Sequence, residues 1–137
     1  MIIDNLYLGS YQDASNIEYL TTNNITHIVN ASQLSNRYPE KIIYHTIDID
    51  DDKDANIDKY FTECSRFIHN IILTNGKVLV HCFAGKSRSP TIVIAYLVMK
   101  KLMSLTNAYN LVKKCRPQID INSGFLKQLE KRFDSQK

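Results

Sequence analysis

Runs of apolar residues alternate with amphipathic segments along this chain, and the alternation predicts strands interleaved with helices. Short runs rich in β-branched and apolar residues are typical of buried strands. They lie at residues 2–8 (closed by Gly9), 25–31, 42–49 and 77–81. Because strands separated by helices favour parallel pairing, we predict an α/β fold with a central mixed, mostly parallel sheet flanked by helices.

Apolar residues at helical spacing occupy the segments between and after these strands. Asp13 is predicted to cap a helix that carries Ile17 and Leu20 and ends at Asn23-Asn24. Three further helices are predicted at residues 88–101, 104–115 and 122–133, the last two capped by Ser104 and Asn122. The helix with the clearest amphipathic pattern follows an acidic segment at residues 50–56 and ends at Asn75-Gly76. One apolar stripe runs along it, formed by Ile57, Phe61, Cys64, Phe67, Ile68 and Ile71.

Composition narrows the possible functions. The chain has 137 residues, of which 44% are hydrophobic and 23% charged. This composition predicts one globular domain over residues 1–137. The net charge is +3 and the sequence has no basic tract that would bind nucleic acid. The longest apolar stretch, residues 92–99, is too short to span a membrane. The first residues resemble neither a signal peptide nor a myristoylation site. We therefore expect no nucleic-acid partner and no stable membrane association, and the pattern indicates no particular oligomeric state.

The three cysteines, Cys64, Cys82 and Cys115, are widely spaced and odd in number. They do not form the pattern of a disulfide framework, so a reducing compartment, cytoplasm or nucleus, is expected. No Cys-x-x-Cys or paired histidine has the spacing of a zinc site. Cys64 and Cys115 lie on apolar helical stripes and are predicted to be core residues, although either can form a disulfide with an oxidised Cys82.

The segment of residues 78–90 combines a nucleophile with an anion site. A predicted strand ends at His81-Cys82, five residues separate Cys82 from Arg88, and Ser89-Pro90 opens a helix. A helix N-terminus and nearby cations favour the thiolate form of a cysteine, which is the nucleophile. A buried core position is the commonest place for a lone cysteine, but the combination of strand, cysteine, glycine-containing loop, arginine and helix favours a catalytic Cys82.

The residues around Cys82 supply groups that bind a tetrahedral anion. Backbone amides can curl around the anion at the positive end of the following helix, and these amides belong to Phe83, Ala84, Gly85, Lys86, Ser87 and Arg88. Gly85 permits a tight turn, and Arg88 can present a bidentate fork. The Ser89 hydroxyl can donate to the thiolate and stabilise sulfur as a leaving group, while His81 is expected to orient the loop. This layout fits transfer of a phosphoryl group to sulfur.

These motifs resemble those of the small, atypical dual-specificity protein phosphatases of the cysteine-dependent protein tyrosine phosphatase superfamily. The resemblance runs over residues 3–9, the signature loop at 81–90, Asn107-Ala108-Tyr109, Arg116-Pro117 and residues 122–129. It implies a metal-independent enzyme without a cofactor, acting in signalling. Its substrates are phosphoproteins, from which it hydrolyses phosphotyrosine, phosphoserine and phosphothreonine through a cysteinyl-phosphate intermediate on Cys82.

Cleavage of a phosphate ester also needs an acid that protonates the leaving oxygen. Carboxylates are concentrated in and just before the acidic segment, and most of them must be ordinary solvated side chains. The resembled family places its acid five residues before the polar residue that opens the next helix. Counting back from Asn56 gives Asp51, with Asp50 and Asp52 as alternatives because loop registers can slip.

Two other functions compete with the phosphoprotein phosphatase. Lys86 adds a second cation to the loop, as in relatives that act on phosphoinositides or other phospholipids, whereas Phe83 occupies a position where many of those relatives have a further lysine. A catalytically inactive phospho-binding module is the second alternative. It is disfavoured because Cys82, Arg88 and a candidate acid are all present.

Overall fold

Four short parallel strands form the centre of the molecule. The structure is a computed structural model and describes residues 1–133. The strands are β1 (Leu6–Gly9), β2 (His27–Asn30), β3 (Ile43–Thr46) and β4 (Val78–His81), in the sheet order β1-β4-β2-β3. The β1–β4, β2–β4 and β2–β3 pairs are all parallel. The predicted α/β fold with a mostly parallel sheet is confirmed, and its antiparallel part is a single isolated bridge between Ile3 and Leu6.

The register of the sheet aligns the carboxyl ends of three strands. β4 lies between β1 and β2, and its last residue, His81, is the partner of both Gly9 and Asn30. The chain that follows β4 therefore leaves from the middle of the carboxyl edge. Open α/β sheets bind their ligands at this edge.

All four predicted strands are longer than those observed, and β1 and β3 show why. β1 begins at Leu6 because the preceding residues form a turn, in which the Ile2 amide donates to the Leu6 carbonyl at 2.8 Å and Asn5 has a φ of 72°. β3 ends at Thr46. Beyond β3 the apolar alternation continues, because the side chains of Ile47 and Ile49 are buried in the core. The alternation there reflects core packing and not the pairing of strands.

The first predicted helix is in fact two short helices, α1 (Tyr11–Ala14) and α2 (Ile17–Thr22). Asp13 does not cap α2. Instead, the Ser10 side chain caps α1 by accepting from the Asp13 amide, and Asp13 Oδ2 accepts from the Ser10 amide at 3.0 Å, as in a capping box. The Asn16 side chain caps α2 by accepting from the amides of Glu18 and Tyr19. The prediction of Asp13 as the cap was therefore wrong by three positions.

Three of the other four helices agree closely with the predicted bounds, and the fourth, predicted from Ile57, begins at Phe61. They are α3 (Phe61–Leu73) after a 3-10 turn at Asp58–Tyr60, α4 (Arg88–Lys101), α5 (Leu105–Cys115) and α6 (Ser123–Phe133). The predicted caps are confirmed: the Ser104 side chain accepts from the Asn107 amide, and Asn122 Oδ1 accepts from the Phe125 amide at 2.8 Å. Among residues 1–133, no helix has both the length and the hydrophobicity needed to cross a membrane.

The two faces of the sheet cover two separate cores. Leu79 of β4 belongs to the smaller core, which is closed by α1 and α2, whereas Val78 and Val80 belong to the larger core. The larger core contains α4, in which every residue from Arg88 to Val98 is buried. The helix that follows the Cys82 loop is thus surrounded by the protein from its first residue.

Candidate active site

The loop after β4 brings Cys82, Arg88 and Ser89 together at the carboxyl edge of the sheet. It connects His81, the last residue of β4, with Arg88, the first residue of α4. Cys82 is 2% exposed, Arg88 8% and Ser89 0%. Residues 83–88 are called the phosphate loop below, after the ligand that the sequence predicts for them.

The Cys82 sulfur lies 3.1 Å from the hydroxyl oxygen of Ser89. Ser89 is in the first turn of α4, so the sulfur lies at the N-terminal end of that helix, where the helix dipole favours negative charge. A thiolate accepts hydrogen bonds and cannot donate them. The Ser89 hydroxyl is therefore the donor whenever Cys82 is ionised.

The guanidinium group of Arg88 is anchored at one nitrogen and free at another. Nη1 donates to the carbonyl of Ile49 at 3.0 Å, whereas Nε is buried and has no hydrogen-bond partner within residues 1–133. A buried donor without an acceptor is unfavourable. An anion that accepts a hydrogen bond from Nε removes this penalty, so Arg88 is a preformed receptor for an anion.

His81 lies beneath the loop as a neutral side chain. Burial is the main cause that lowers its pKa to about 4, opposed by a hydrogen bond to the backbone of Cys82. Its Nδ1 is 3.2 Å from the Cys82 carbonyl oxygen, and a carbonyl can only accept, so Nδ1 carries the proton. This contact orients the peptide group that leaves Cys82.

The backbone carbonyls of the phosphate loop are bonded to the surrounding chain. The Tyr11 amide donates to the Phe83 carbonyl at 3.0 Å, and the Asp120 amide donates to the Lys86 carbonyl at 2.8 Å. In a trans peptide the C=O and the N–H point in opposite directions. The amides that follow these carbonyls are therefore directed away from the surrounding chain, toward the side on which an anion can bind.

The Arg116 side chain donates hydrogen bonds to the two carbonyls in the middle of the loop. Its Nε donates to the Gly85 carbonyl at 2.8 Å and its Nη2 to the Ala84 carbonyl at 3.2 Å. Gly85 has a φ of 68°, and a Cβ at this position would lie 2.7 Å from the Gly9 carbonyl oxygen. Glycine is thus required here for its conformation and for its size. The sequence indicated Arg116 only as part of a family motif, and its contact with the loop was missed.

Among the three candidate acids, Asp51 is the one linked to the phosphate loop. Asp50 accepts from the Gln33 side chain at 2.8 Å, and Asp52 accepts from a backbone amide of its own segment at 2.8 Å. Asp51 Oδ1 accepts from Asn122 Nδ2 at 2.9 Å. The Asn122 backbone amide also donates to a side chain of the phosphate loop, Ser87 Oγ, at 3.0 Å. This geometry favours Asp51 as the acid, and the segment of residues 50–56 is called the acid loop below.

A groove of about 850 Å³ opens beside the phosphate loop. Its charged lining residues are Arg37, Lys86 and Arg116, and no carboxylate lines it among residues 1–133. Phe83, 63% exposed, forms part of the same wall. The surface next to the loop is therefore suited to an anionic ligand larger than a single phosphate.

The two other cysteines differ from each other. Cys64 is buried as predicted, and burial raises the pKa of its thiol to about 12. Cys115 is exposed, so its prediction as a core residue was wrong. The buried positions of α5 are Leu105, Ala108 and Val112, and Cys115, the last residue of this helix, lies beyond them at the surface. Within residues 1–133, no group of three or more histidine, cysteine, aspartate or glutamate side chains can hold a metal ion.

The fold and this site define a class of protein. In this chain a cysteine follows the second strand, in spatial order, of a parallel sheet. Five residues separate this cysteine from an arginine that opens a buried helix. This is the arrangement of the cysteine-dependent phosphatases. The family model "Dual specificity phosphatase, catalytic domain" matches residues 6–134. The chain belongs to this family and carries its catalytic domain.

Individual relatives agree with this membership. The chain is 45% identical to "Dual specificity protein phosphatase 1" of Arabidopsis thaliana over 95% of its own length and 66% of that protein. It is 44% identical to "MAP kinase phosphatase with leucine-rich repeats protein 1" of Dictyostelium discoideum over 96% of its length but 16% of that protein. The crystal structure of DUSP15 superimposes with a TM-score of 0.93 at 36% identity, covering 100% of this chain and 88% of that one. The chain thus spans two thirds or less of these two curated relatives.

Proposed function

We propose that this chain is a protein phosphatase that hydrolyses phosphotyrosine, phosphoserine and phosphothreonine through a cysteinyl-phosphate intermediate. One observation carries the proposal: the Cys82 sulfur lies at a helix N-terminus, beside an arginine whose buried Nε has no partner within residues 1–133. Nucleophile and anion receptor are thus adjacent. Membership of the dual specificity phosphatase family supports the same reaction.

In the first step, the Cys82 thiolate attacks phosphorus in line with the leaving oxygen. The S–P bond forms as the ester P–O bond breaks, and Asp51 transfers its proton to the departing oxygen. Arg88 and the amides of residues 83–88 bind the nonbridging oxygens, where negative charge concentrates. The products are a free hydroxyl group, cysteinyl phosphate and ionised Asp51.

In the second step, a water molecule hydrolyses the intermediate. Asp51 takes a proton from this water as its oxygen attacks phosphorus. The S–P bond breaks, and sulfur leaves as a thiolate that accepts a hydrogen bond from Ser89. Inorganic phosphate is released, and both Cys82 and Asp51 return to their starting states.

The proposed reaction needs neither a metal ion nor a cofactor. In other phosphoryl-transfer enzymes, metal ions neutralise the charge of the transferred group. Here Arg88 and the amides of the phosphate loop supply positive charge at the same oxygens. His81 contributes by holding the loop and takes no proton from the substrate.

Phosphorylated proteins are the proposed substrates. The groove lined by Arg37, Lys86 and Arg116 supports a polypeptide with negative charge near its phosphorylated residue. A Dictyostelium relative is named a MAP kinase phosphatase, which supports a substrate in a signalling pathway. The proposal includes a single catalytic domain over residues 1–137, no nucleic-acid partner and no stable membrane association. It places the enzyme in the cytoplasm or nucleus, where the Cys82 thiolate stays reduced.

The test compares phosphate release from a peptide carrying phosphothreonine and phosphotyrosine with release from a soluble phosphoinositide. Cys82→Ser serves as the blank in both assays. We expect hydrolysis of both phosphorylated residues and slower hydrolysis of the lipid. Faster turnover of the phosphoinositide would instead assign the site to phospholipids, with Lys86 as a specificity residue. Binding of phosphate without turnover of either substrate would identify a phospho-binding module.

A further inference from the structure

A groove of about 570 Å³ opens at the edge of the sheet opposite the phosphate loop. The turn before β1 forms one of its walls, and the ends of α3 and α4 form the others. This edge carries the amino ends of the parallel strands β1 and β4, whereas the phosphate loop follows the carboxyl end of β4. The lining includes four apolar side chains and two charged ones: Ile3, Ile72, Leu97 and Met103, with Asp4 and Lys101.

Leu102 projects into solvent from the rim of this groove. It lies between two lining residues, Lys101 and Met103, and is 86% exposed, the largest fraction among the large apolar side chains of residues 1–133. A second exposed leucine, Leu73, directly follows the lining residue Ile72 at the end of α3. Burial of such side chains is favourable, so this rim has free energy to gain from a partner.

The backbone at Leu102 indicates that the fold does not require a leucine there. Leu102 ends α4 in the left-handed conformation, with a φ of 58°, where glycine is the usual residue because a side chain is strained. The apolar contact of this helix end comes instead from Met103, which packs against the larger core. In an isolated chain, Leu102 is therefore unfavourable both in conformation and in exposure, which indicates a contact with another molecule.

A second copy of this chain is the occupant that fits these features. A two-fold dimer pairs the same patch on both copies, so the patch must be complementary to itself. Here an apolar side chain protrudes beside an apolar groove, and the groove carries one negative and one positive side chain, Asp4 and Lys101. Neither of the two forms an ion pair with another residue in the described part of the chain. Each is therefore available to the opposite charge of a second copy.

We propose that this groove and Leu102 form the interface of a symmetric homodimer. Leu102 of each copy fills the groove of the other copy, and Asp4 of each copy pairs with Lys101 of the other across the two-fold axis. Because the interface lies at the edge of the sheet opposite Cys82, both phosphate loops stay open and face away from each other. The inference does not depend on the reaction proposed for those loops.

Sedimentation equilibrium from about 1 μM to about 500 μM measures the Kd of the dimer. We expect a concentration-dependent dimer of the unmodified protein and, for Leu102→Gly, dimerisation at least about 30-fold weaker, since each dimer loses two buried leucines. Glycine adopts the φ of Leu102 without strain, so the monomer of this variant should unfold at no lower temperature than the unmodified monomer. Leu34→Gly is the matched control, because Leu34 is an exposed leucine in the connection between β2 and β3; it should leave the Kd unchanged.

Charge reversal tests the ion pairs. Asp4→Lys and Lys101→Asp each place like charges together across the two-fold axis, and each alone should weaken self-association by about tenfold. A mixture of the two variants has opposite charges in both pairs and should associate within about threefold of the unmodified protein. Lys100→Asp is the matched control, since Lys100 is also in the last turn of α4 but does not line the groove. Its mixture with Asp4→Lys should show no such recovery.

Three results would each overturn the inference: a monomer at every concentration, equal dimerisation of Leu102→Gly and the unmodified protein, or no recovery in the mixture of charge variants. If the unmodified protein instead binds vesicles of phosphatidylserine and phosphatidylcholine and Leu102→Gly does not, this face belongs to a lipid surface. Hydrolysis of a small aryl phosphate should stay within about twofold in every variant, because the interface is remote from the phosphate loop. Absence of hydrolysis by the unmodified protein would contradict the proposed function and leave the dimer measurement intact, so the two failures are distinguishable.

Discussion

The phosphate loop and the acid loop perform complementary steps of one proposed reaction, yet they are held in different ways. In the phosphate loop, the four consecutive carbonyls of residues 83–86 accept hydrogen bonds from residues outside the loop. Cys82, the residue that precedes the loop, is buried. In the acid loop, Asp51 is exposed and is held by Asn122. The charge-binding loop is therefore rigidly preorganised, as electrostatic stabilisation requires. In the acid loop, by contrast, the Asp51 carboxylate itself is held by a single side chain.

Loss of the nucleophile should produce the largest effect and leave the anion receptor intact. Cys82→Ser is expected to lower kcat by roughly 10⁴-fold or more, since the whole covalent route is lost. Binding of inorganic phosphate should persist, because Arg88 and the loop amides are unchanged. Activity assays and phosphate titration by calorimetry measure the two effects. Loss of phosphate binding together with activity would show that the phosphate loop is not preorganised independently of the cysteine.

Loss of the acid should produce the next largest effect and depend on the leaving group. Asp51→Asn is expected to lower kcat by about 10²- to 10³-fold on a substrate with a poor leaving group. The rate of the unmodified protein should be bell-shaped in pH, since it needs an ionised Cys82 and a protonated Asp51, and the variant should lose the fall at high pH. Asp50→Asn and Asp52→Asn are matched controls expected to retain activity. A larger loss in either control would move the acid to that position.

Acid should destabilise the phosphate loop through His81. Burial lowers the pKa of His81 to about 4, whereas an exposed histidine of the unfolded chain has a pKa of about 6.5. Between these pH values the unfolded chain binds a proton that the folded chain does not. The contribution of neutral, buried His81 to the free energy of unfolding is therefore complete above about pH 6.5. It is lost as the pH falls toward 4, and the total loss is about 3 kcal/mol.

Urea unfolding at several pH values tests this prediction against His81→Asn. Asparagine keeps a neutral donor near the Cys82 carbonyl but does not titrate. The stability of the unmodified protein should fall more steeply than that of the variant between about pH 6.5 and 4. Parallel curves for the two proteins would show that His81 is not buried neutral under the loop.

Arg116→Lys should produce the smallest of these effects. Lysine keeps the charge but cannot donate to two carbonyls from a planar fork, so the amides of the phosphate loop lose part of their orientation. We expect about a tenfold loss in kcat/KM on a small aryl phosphate. Arg66→Lys, on the exposed side of α3, is the matched control. Unchanged kinetics on the aryl phosphate, with a loss only on acidic phosphopeptides, would show that Arg116 acts through the groove instead.

The parts of this site that are continuous in sequence were predictable. The strand, the bounds of α4 and the short loop between them follow from local pattern, because the proposed nucleophile Cys82 and the proposed anion receptor Arg88 lie in one short segment of the chain. The capping residues Ser104 and Asn122 were also predicted from local signals. The capping box of Ser10 and Asp13 is equally local, and was misread because Asp13 was taken as the first residue of the signal rather than the last.

The parts that depend on tertiary contacts were not predictable. The Asp51–Asn122 hydrogen bond joins residues 71 positions apart, and that between Arg116 and Gly85 joins residues 31 apart. Contacts between residues so far apart along the chain leave no periodic pattern in the sequence. The resemblance to a family indicated Asp51 by counting, but which of the three adjacent carboxylates is linked to the phosphate loop depends on where Asn122 lies in the folded chain.

That docking also has a consequence for the order in which the protein becomes competent during synthesis. A nascent chain that has emerged only as far as α4 already contains Cys82, Arg88 and Asp51. It still lacks Arg116, the Asp120 amide and Asn122, which bind four residues of the phosphate loop and the proposed acid. The Cys82 thiol is therefore present well before the groups that hold its loop, and the newly made chain should reach its full proposed activity only when the segment after α4 folds onto the rest.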